Sequence, residues 1–299
     1  MIRLITDSVA SIPADVAERE NIRVISMFLH EGDKEHVETT MDIDEFYDRI
    51  GDMVDNIPTS SQPPMGELED MFEEAAQAGD SVIAVFITMG LSGTAANAAS
   101  VAEKVKARHA GFDIVVIDSG SCGLDEGFCV LECAKAIKEG KSFEECVQIT
   151  VDAAARSRFV FAPQTLAFLK AGGRIGHAAA LLGSLIQLTP ILTVVNGIVE
   201  APVKVRTYKR AKRAIVDQLK RDMDECGLQE CVVQYIGPKS AAVDFAKEYV
   251  EPLLGHAVDI IPVSPCVGLH VGPTVAVAYI AQRKLPGKID DPNSLIYRI

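Results

Sequence analysis

The sequence is short of positive charge and of long apolar runs. Lys and Arg number 29 against 42 Asp and Glu, which gives a formal net charge of −13. Such a surface repels phosphate backbones and anionic membranes, which argues against a nucleic-acid partner. No stretch approaches the roughly 20 apolar residues of a membrane span, and residues 1–10 lack an apolar signal core. We therefore expect a cytoplasmic protein without stable membrane insertion.

Tryptophan is absent, aromatic residues make up only 6% of the chain, and no two cysteines form a CxxC pair. The seven cysteines are an odd number scattered through apolar segments, which favours reduced, buried thiols over a disulfide framework. No acidic cluster offers a convincing metal site, so neither a metal nor a cofactor is expected. Apolar residues nonetheless reach 48%, enough for a large aliphatic core, and 299 residues are enough for two domains.

The first half alternates short apolar runs with amphipathic stretches. Strands separated by helices indicate a parallel sheet that is covered on both faces. We therefore predict an N-terminal α/β/α domain over residues 1–160. Its predicted strands are residues 2–6, 23–29, 81–88 and 113–118, and its predicted helices include 43–53, 65–78, 94–109 and 124–139.

The pattern changes after about residue 160. Asn196-Gly197 lies between two apolar runs and is the strongest short hairpin signal in the sequence. A hairpin among further strands and helices indicates a mixed sheet, so we predict a C-terminal α+β domain over residues 161–299. The predicted elements are strands at 191–195, 198–202, 230–236 and 258–262, helices at 165–170, 209–225, 241–254 and 273–281, and an apolar segment at 178–187.

Four polar stretches lie where a strand or loop meets a predicted helix, at residues 6–8, 59–64, 91–94 and 268–273. Such junctions are where side chains from different elements gather at a shared cleft. Hydroxyl groups and the unpaired amides of helix N-termini bind anions well. A serine that opens a helix is also an ordinary cap, and a histidine between glycines is often a structural hydrogen bonder. No single stretch therefore defines a site.

Eight motifs follow one another along essentially the whole chain. They are Thr6-Asp7-Ser8, Ser60-Ser61-Gln62-Pro63, Leu91-Ser92-Gly93-Thr94, Ile117-Asp118-Ser119, Leu169-Lys170 with Gly173-Arg174-Ile175, Pro190-Ile191-Leu192, Arg206-Thr207, and Gly268 with His270 and Gly272-Pro273. In order and spacing these motifs resemble those of the DegV family. The resemblance implies a two-domain α/β protein that holds a long-chain fatty acid between or within its domains. In bacteria that have fatty acid kinase, it implies delivery of the acid to the kinase catalytic subunit for conversion to an acyl phosphate, without turnover by the carrier itself.

The resemblance also implies which residues meet the ligand. The carboxylate is expected at the hydroxyls of Ser60 and Ser92, with His270 close by. A buried carboxylate needs hydrogen bonds to both oxygens, and neutral hydroxyl and imidazole groups supply them. The full predicted ligand-binding set is Ser60, Ser61, Ser92, Gly93, Thr94, Arg174, His270 and Gly272.

A long acyl chain requires a dry aliphatic tunnel, because its methylenes are stabilised by leaving water. Residues 82–87, 178–192 and 275–280 are aliphatic enough to form its walls, and equally aliphatic enough to be plain core. The family usually has Thr where Ser60 and Val271 stand, and often Lys where Thr189 stands. The differences at Val271 and Thr189 reduce polar or basic character near the head group.

One basic cluster interrupts the acidic sequence, and it allows two interpretations. It is either the solvated face of an amphipathic helix or a docking patch for an acidic partner such as the kinase, since complementary charge steers association. On the second interpretation Arg206, Lys209 and Arg210 are the docking residues, and Arg206 matches the Arg-Thr motif of the family. The cluster consists of Lys204, Arg206, Lys209, Arg210, Lys212 and Arg213.

Other functions remain open at this level. Ser92 or Ser60 as nucleophile with His270 as base would make an acyl hydrolase, but no Gly-x-Ser-x-Gly elbow is present and only Asp7 or Asp118 offers itself to orient the histidine. A phosphotransferase is suggested by analogy with the dihydroxyacetone kinase fold, but no Gly-x-x-x-x-Gly-Lys-Ser/Thr loop is present. A regulator of DNA is least favoured, because of the acidic balance.

Overall fold

The structure, a computed structural model, describes residues 1–182 and 188–299. The strands are β1 (Ile2–Asp7), β2 (Ile22–Ile25), β3 (Phe28–Glu31), β4 (Lys34–Val37), β5 (Thr59–Ser61), β6 (Ser81–Phe86), β7 (Ile114–Asp118), β8 (Ser157–Phe161), β9 (Thr189–Val195), β10 (Ile198–Val205), β11 (Glu230–Ile236), β12 (Ile260–Pro262), β13 (Thr274–Ile280) and β14 (Ile296–Arg298). The helices are α1 (Ala14–Arg19), α2 (Ile43–Asp48), α3 (Met65–Ala78), α4 (Thr94–Arg108), α5 (Leu124–Lys138), α6 (Phe143–Arg156), α7 (Ala167–Ala171), α8 (Tyr208–Cys226), α9 (Lys239–Phe245), α10 (Glu251–Leu254) and α11 (Pro265–Val271).

The first sheet has five strands in the order β14-β7-β6-β1-β2. Its four N-terminal strands are parallel, as the alternation of strands and helices predicts. The edge strand β14 comes from the other end of the chain and pairs antiparallel with β7. This sheet confirms the parallel α/β part of the predicted fold.

The second sheet has six strands in the order β10-β9-β8-β13-β11-β12. It is mixed, because β11 and β12 are parallel while the other neighbours are antiparallel. The predicted hairpin is confirmed: Asn196 and Gly197 join β9 to β10 with φ angles of 48° and 77°. Positive φ at both turn residues is the requirement that an Asn-Gly turn meets.

A third, three-stranded antiparallel sheet, in the order β4-β3-β5, was not predicted. The predicted strand at 23–29 is wrong as a single element, because the chain breaks at Ser26 and Met27 and enters this small sheet as β3. Strand β5 pairs with β3 so that Ser60 lies opposite Leu29. The small sheet therefore fixes the position of the Ser60-Ser61 motif.

The predicted helix at 273–281 is also wrong, because these residues form the central strand β13. Every residue of β13 is buried, so the strand shows no alternation of apolar and polar residues that would distinguish it from a helix. The polar stretch 268–273 ends a helix and does not open one. Helix α11 begins after Ser264, whose hydroxyl accepts from the Val267 amide, and ends at Gly272 with a φ of 74°.

Helix α5 lies between the two large sheets and contacts both, touching β1 and β6 on one side and β8 and β13 on the other. Its residues from Leu124 to Val130 are all buried, which is typical of a helix surrounded by protein. Helices α3 and α4 cover the outer face of the first sheet, and α8 and α9 cover the outer face of the second. The two sheets therefore share one helical layer.

The division into residues 1–160 and 161–299 remains a prediction. Strand β8, at residues 157–161, belongs to the second sheet, and β14 returns the C-terminus to the first. Part of the predicted apolar segment 178–187 and of the predicted tunnel wall 178–192, namely residues 183–187, lies outside the described residues. None of the helices within residues 1–182 and 188–299 has both the length and the apolarity that crossing a bilayer requires.

Candidate functional site

A cavity of about 320 Å³ opens between the elements that carry the predicted site residues. Its polar lining residues are half-buried or exposed, whereas its apolar lining residues, apart from the half-buried Leu91, are buried. The cavity therefore has a polar mouth and an apolar interior. The mouth consists of Ser60, Ser61, Gln62, Ser92, Gly93, Arg174 and His270. The interior consists of Met27, Ile87, Cys122, Phe161, Leu169, Val194, Val199, Cys266, Val267 and Val271.

Ser60 and His270 meet at the mouth although 210 residues separate them in the sequence. Ser60 lies on β5, His270 lies in the last turn of α11, and the Ser60 Oγ is 3.0 Å from the His270 Nε2. Burial and, to a smaller extent, the nearby Arg174 charge lower the pKa of His270 to about 4. The imidazole is therefore neutral at pH 7, with one nitrogen that donates a hydrogen bond and one that accepts.

The other ring nitrogen of His270 has no hydrogen-bond partner among the described residues. A Cβ atom placed on Gly172 would lie 2.2 Å from that Nδ1, so the ring packs directly against the glycine backbone. No side chain fits between them. The glycine at position 172 therefore allows the loop after α7 to approach the imidazole closely.

Ser92 and Gly93 lie in the loop between β6 and α4. The Ser92 Oγ is 2.9 Å from the Oγ1 of the fully buried Thr94, which orients the serine hydroxyl. Gly93 is the N-cap residue of α4 and lines the cavity mouth. Because glycine has no side chain, the first amides of α4 receive no capping hydrogen bond from it. The N-terminus of a helix carries partial positive charge, so this arrangement favours an anion at the mouth.

Arg174 spans the mouth from the second half of the chain to the first. Its Nε donates to the Leu91 carbonyl at 3.1 Å, and its guanidinium also donates to the Gly172 carbonyl. The side chain is exposed. Arg174 thus holds the loop after α7 beside the Ser92 loop and places a positive charge at the opening of the cavity.

Six of the predicted binding residues line the cavity: Ser60, Ser61, Ser92, Gly93, Arg174 and His270. Thr94 and Gly272 do not. Thr94 lies behind Ser92, and Gly272 ends α11 at a positive φ where a Cβ would lie 2.4 Å from the Phe168 ring. The structure thus brings the six side chains and backbones together, and their role in ligand binding stays a prediction.

The sequence-based prediction missed Gln62 and most of the apolar lining. Gln62 belongs to the same motif as Ser60 and Ser61. It lies against Gly93, since an added Cβ on that glycine would be 3.3 Å from the Gln62 Oε1. The thiols of Cys122 and Cys266 contribute apolar surface, because burial raises the pKa of Cys122 to about 12 and raises that of Cys266 strongly. Nothing local in the sequence separates these cysteines from the buried cysteines of the core.

Most of the described residues that were predicted to form the tunnel walls do not line the cavity. Of residues 82–87 only Ile87 lines the cavity, and of residues 275–280 none does, because β13 is buried between α5 and the outer helices. Val194 and Val199, on either side of the Asn196-Gly197 turn, line it instead. The hairpin of β9 and β10 is therefore one wall of the cavity.

The basic cluster begins at the end of β10, directly after the part of the hairpin that forms this wall. Lys204 is exposed at the end of β10, Arg206 is exposed between β10 and α8, and Lys209 and Arg210 are exposed in the first turn of α8. None of the six basic residues forms a salt bridge with a described residue. The positive charge near the hairpin is thus not neutralised by neighbouring carboxylates in that part of the chain.

The hydrolase hypothesis finds a serine and a histidine in contact but no third group. Asp7 accepts from the amides of Val9 and Ile87, and Asp118 accepts from the amides of Gly120 and Met89, so neither orients His270. Ser92 pairs with Thr94 and not with the histidine. Across residues 1–182 and 188–299, no three His, Cys, Asp or Glu side chains are grouped to hold a metal ion.

Comparison with known proteins identifies relatives along nearly the whole chain. The protein-family model described as "Uncharacterised protein, DegV family" matches residues 1–282. A DegV domain-containing protein of Clostridium perfringens is 39% identical over 279 residues, which are 93% of this chain and 98% of that protein.

Solved structures with the same fold include two proteins that are described as binding fatty acids. DegV of Bacillus subtilis, described as a fatty acid binding protein, is 29% identical with a TM-score of 0.80 and covers 94% of this chain and 99% of its own. A DegV family protein of Thermus thermophilus, described by its fatty acid binding, is 26% identical with a TM-score of 0.81. The match covers 93% of this chain and 99% of that protein. By sequence and by fold, this chain belongs to the DegV family.

Proposed function

We propose that this protein binds a long-chain fatty acid, with the acyl chain in the apolar interior of the cavity and the carboxylate at its mouth. The observation that carries the proposal is the joining of a buried aliphatic interior to a mouth that gathers Ser60, Ser92 and His270. The relatives from Bacillus subtilis and Thermus thermophilus, described as binding fatty acids, support it.

The interior suits an acyl chain for an energetic reason. Each buried methylene contributes about 0.8 kcal/mol, so some 14 methylenes contribute up to about 11 kcal/mol before the costs of association. The lining is aliphatic apart from Phe161 and the sulfur-containing side chains of Met27, Cys122 and Cys266. A cavity of about 320 Å³ also falls within the usual range for small-molecule sites.

The mouth suits a carboxylate because its donors are neutral and already oriented. If the neutral His270 carries its proton on Nε2, it donates to the Ser60 Oγ, and the Ser60 hydroxyl hydrogen is free to point at the ligand. Ser92, held by Thr94, supplies a second hydroxyl. The exposed Arg174 adds positive charge without forming a fixed buried ion pair, so the carboxylate keeps a reactive oxygen.

The direct test is native mass spectrometry of the protein purified from cells, followed by extraction of the bound molecule. We expect a co-purifying fatty acid, whose mass gives chain length and unsaturation together. A protein that carries no acid and gains none on incubation with stearic or oleic acid would contradict the proposal.

We further propose that the loaded protein presents the carboxylate to the catalytic subunit of a fatty acid kinase, for conversion to an acyl phosphate. The exposed residues Arg206, Lys209 and Arg210 are the proposed docking surface, since they continue from the hairpin that forms the cavity wall. Complementary charge at such a surface raises the rate of association more than the affinity.

The contact between Ser60 and His270 supports a second candidate function, that of a serine-dependent acyl hydrolase. An assay with nitrophenyl esters of short and long acids separates the two functions. Hydrolysis that disappears in Ser60→Ala or Ser92→Ala would favour the hydrolase. Retention of free acid through gel filtration without hydrolysis would favour the carrier.

A further inference from the structure

The last 17 residues of the chain, 283–299, lie beyond the part that matches the family model. We call them the C-terminal strap, because they run from the end of β13 in the second sheet back to β14 in the first. At the far end, β14 pairs with β7 and Arg298 forms a two-point ion pair with Glu144. The strap is thus anchored on the first sheet.

The middle of the strap holds the hairpin that forms the cavity wall. The Asn196 amide donates to the Lys288 carbonyl at 3.1 Å. The Asn196 side chain donates to Asp290 Oδ2 and accepts from the Asp290 amide, both at 2.9 Å. The turn residue that the sequence identified as a hairpin signal is therefore tied to the strap by three hydrogen bonds.

Lys288 completes an interrupted strand pairing inside the second sheet. Strands β8 and β9 pair at Phe161 with Leu192 and at Val160 with Thr193, and the next pair in register would be Phe159 with Val194. In its place the Phe159 amide donates to the Asp125 carboxylate at 3.2 Å, and Lys288 Nζ donates to the same Asp125 Oδ2 at 2.6 Å and to the Val194 carbonyl at 3.0 Å.

The ion pair of Lys288 and Asp125 therefore takes the place of a direct backbone hydrogen bond between Phe159 and Val194. Lys288 and Asp125 are both completely buried. On the opposite side, the hairpin turn is packed tightly against the loop after β6, since a Cβ on Gly90 would lie 2.1 Å from the Gly197 carbonyl oxygen. Beyond Thr193, the hairpin is no longer held by β8. It is held by the strap, by this loop, and by residues 176–181, which pack against β10.

We propose that the strap is a latch for the fatty-acid cavity, with Lys288 as the positioning residue that holds Val194 and the hairpin closed. A wall that moves aside widens the path by which an acyl chain enters and leaves the apolar interior, so loosening the latch accelerates both uptake and release. This inference rests on the proposed fatty-acid binding.

The first test loosens the latch at its exposed end. Asn196→Gly removes the two side-chain bonds to Asp290 and keeps a turn that accepts positive φ. Asn21→Gly is the matched control, because Asn21 is exposed, also has a positive φ of 55°, and lies in the turn before β2. The probe is cis-parinaric acid, displaced by excess stearic acid in stopped flow.

We expect Asn196→Gly to release the probe roughly fivefold faster, because it loses two exposed hydrogen bonds at the weak end of the usual range, and to take it up faster by a similar factor. The equilibrium affinity then changes little, and Asn21→Gly behaves as the parent does. Faster release with unchanged uptake would overturn the latch, because it would mean that the bonds stabilise the bound state alone.

The second test removes the buried link. The double variant Lys288→Met with Asp125→Asn removes both charges and keeps an acceptor for the Phe159 amide. We expect roughly a tenfold or greater acceleration of exchange, since two donor contacts of Lys288 are lost. Release at the parent rate in both this variant and Asn196→Gly, with far-UV circular dichroism showing a folded protein, would overturn the proposal.

Failure of the proposed function is distinguishable from failure of the latch. If the parent binds neither cis-parinaric nor stearic acid, the binding proposal fails. Amide hydrogen exchange at Asn196 and Val195 still reports on the strap, and it must quicken in the double variant if the strap holds the hairpin. Unchanged exchange there would overturn the latch independently of any ligand.

Discussion

Two polar regions of this protein, the mouth of the cavity and the layer around α5, are built in opposite ways. The mouth groups the neutral His270 with serine hydroxyls and an exposed arginine. The α5 layer buries ionisable groups completely: Asp125 faces Lys288, and its neighbour Glu126 lies near Asp7. The same kinds of atoms therefore form the proposed ligand-binding mouth where water reaches them and hold the two sheets together where it does not.

The two fully buried carboxyl groups on α5, Asp125 and Glu126, also differ from each other. Asp125 is balanced by a lysine, whereas burial and the nearby Asp7 raise the pKa of Glu126 well above its ordinary value. Burial likewise raises the pKa of Asp7 to about 7. A buried acid without a cation keeps its proton, so one side of α5 holds an ion pair and the other a protonated carboxyl group. Changes in the layer should therefore alter stability, and changes at the mouth should alter binding.

The largest effect is expected from Lys288→Met, which leaves Asp125 buried without its partner. Breaking a buried pair by removing one member costs about 3–5 kcal/mol of unfolding free energy. Lys284→Met is a matched control in the same strap, because Lys284 is 60% exposed where it pairs with Asp152, and such surface pairs contribute about 0–1 kcal/mol. Urea unfolding followed by circular dichroism measures both, and equal losses would contradict the contrast between buried and exposed pairs.

A smaller effect, dependent on pH, is expected from Glu126→Gln. The folded pKa values of Glu126 and Asp7 lie above their ordinary values of 4.5 and 3.8, so the folded state holds protons that the unfolded chain releases. Their contribution to stability is complete below about pH 4 and is lost as pH rises toward and beyond 7. Removing one titrating acid should flatten that decline, by about 1.4 kcal/mol per unit of pKa shift removed.

The measurement is the free energy of unfolding at pH 5 and at pH 7.5 for the parent and for Glu126→Gln. Glu103→Gln, an exposed position on α4, is the control for loss of a surface charge. If the parent and Glu126→Gln lose stability equally over this interval, Glu126 does not titrate there and the predicted pH dependence is wrong.

At the mouth, Ser60→Ala should weaken fatty-acid binding about tenfold and leave the unfolding free energy nearly unchanged, because one charge-assisted hydrogen bond is lost in a half-buried place. Ser100→Ala is the control, since Ser100 is an exposed serine on α4 that does not line the cavity. Fluorescence titration with cis-parinaric acid compares them. Equal losses in the two variants would remove Ser60 from its proposed role.

The smallest effect on the protein itself is expected from Arg206→Ala, which should leave both stability and lipid loading as they are. If the docking proposal is right, it slows phosphorylation of the bound acid by the kinase, most clearly at low ionic strength. Arg221→Ala, at an exposed position near the other end of α8, is the control. A fall in lipid loading in Arg206→Ala would place this residue at the cavity and not at a partner.

Local signals accounted for much of the architecture. The alternation of strands and helices in the first half and the Asn196-Gly197 turn follow from backbone geometry that neighbouring residues impose, so they were predicted correctly. Strand β13 was mistaken for a helix because complete burial removes the period on which such predictions depend. The small sheet of β3, β4 and β5 was missed because its strands have three or four residues each.

The sequence by itself determined the fold class, the family and the motifs that carry Ser60, Ser92, Arg174 and His270, since composition, period and ordered motifs are local properties. Only the tertiary structure decided that Ser60 meets His270 across 210 positions, that Thr94 and Gly272 stand behind the cavity, and that the hairpin is one of its walls. Lys288 shows the difference most clearly. In sequence it is an ordinary surface-type residue, and it is buried because β14 returns the chain to the first sheet and carries the lysine past Asp125 and Val194. Such contacts depend on the order of strands in a sheet, which no local pattern encodes.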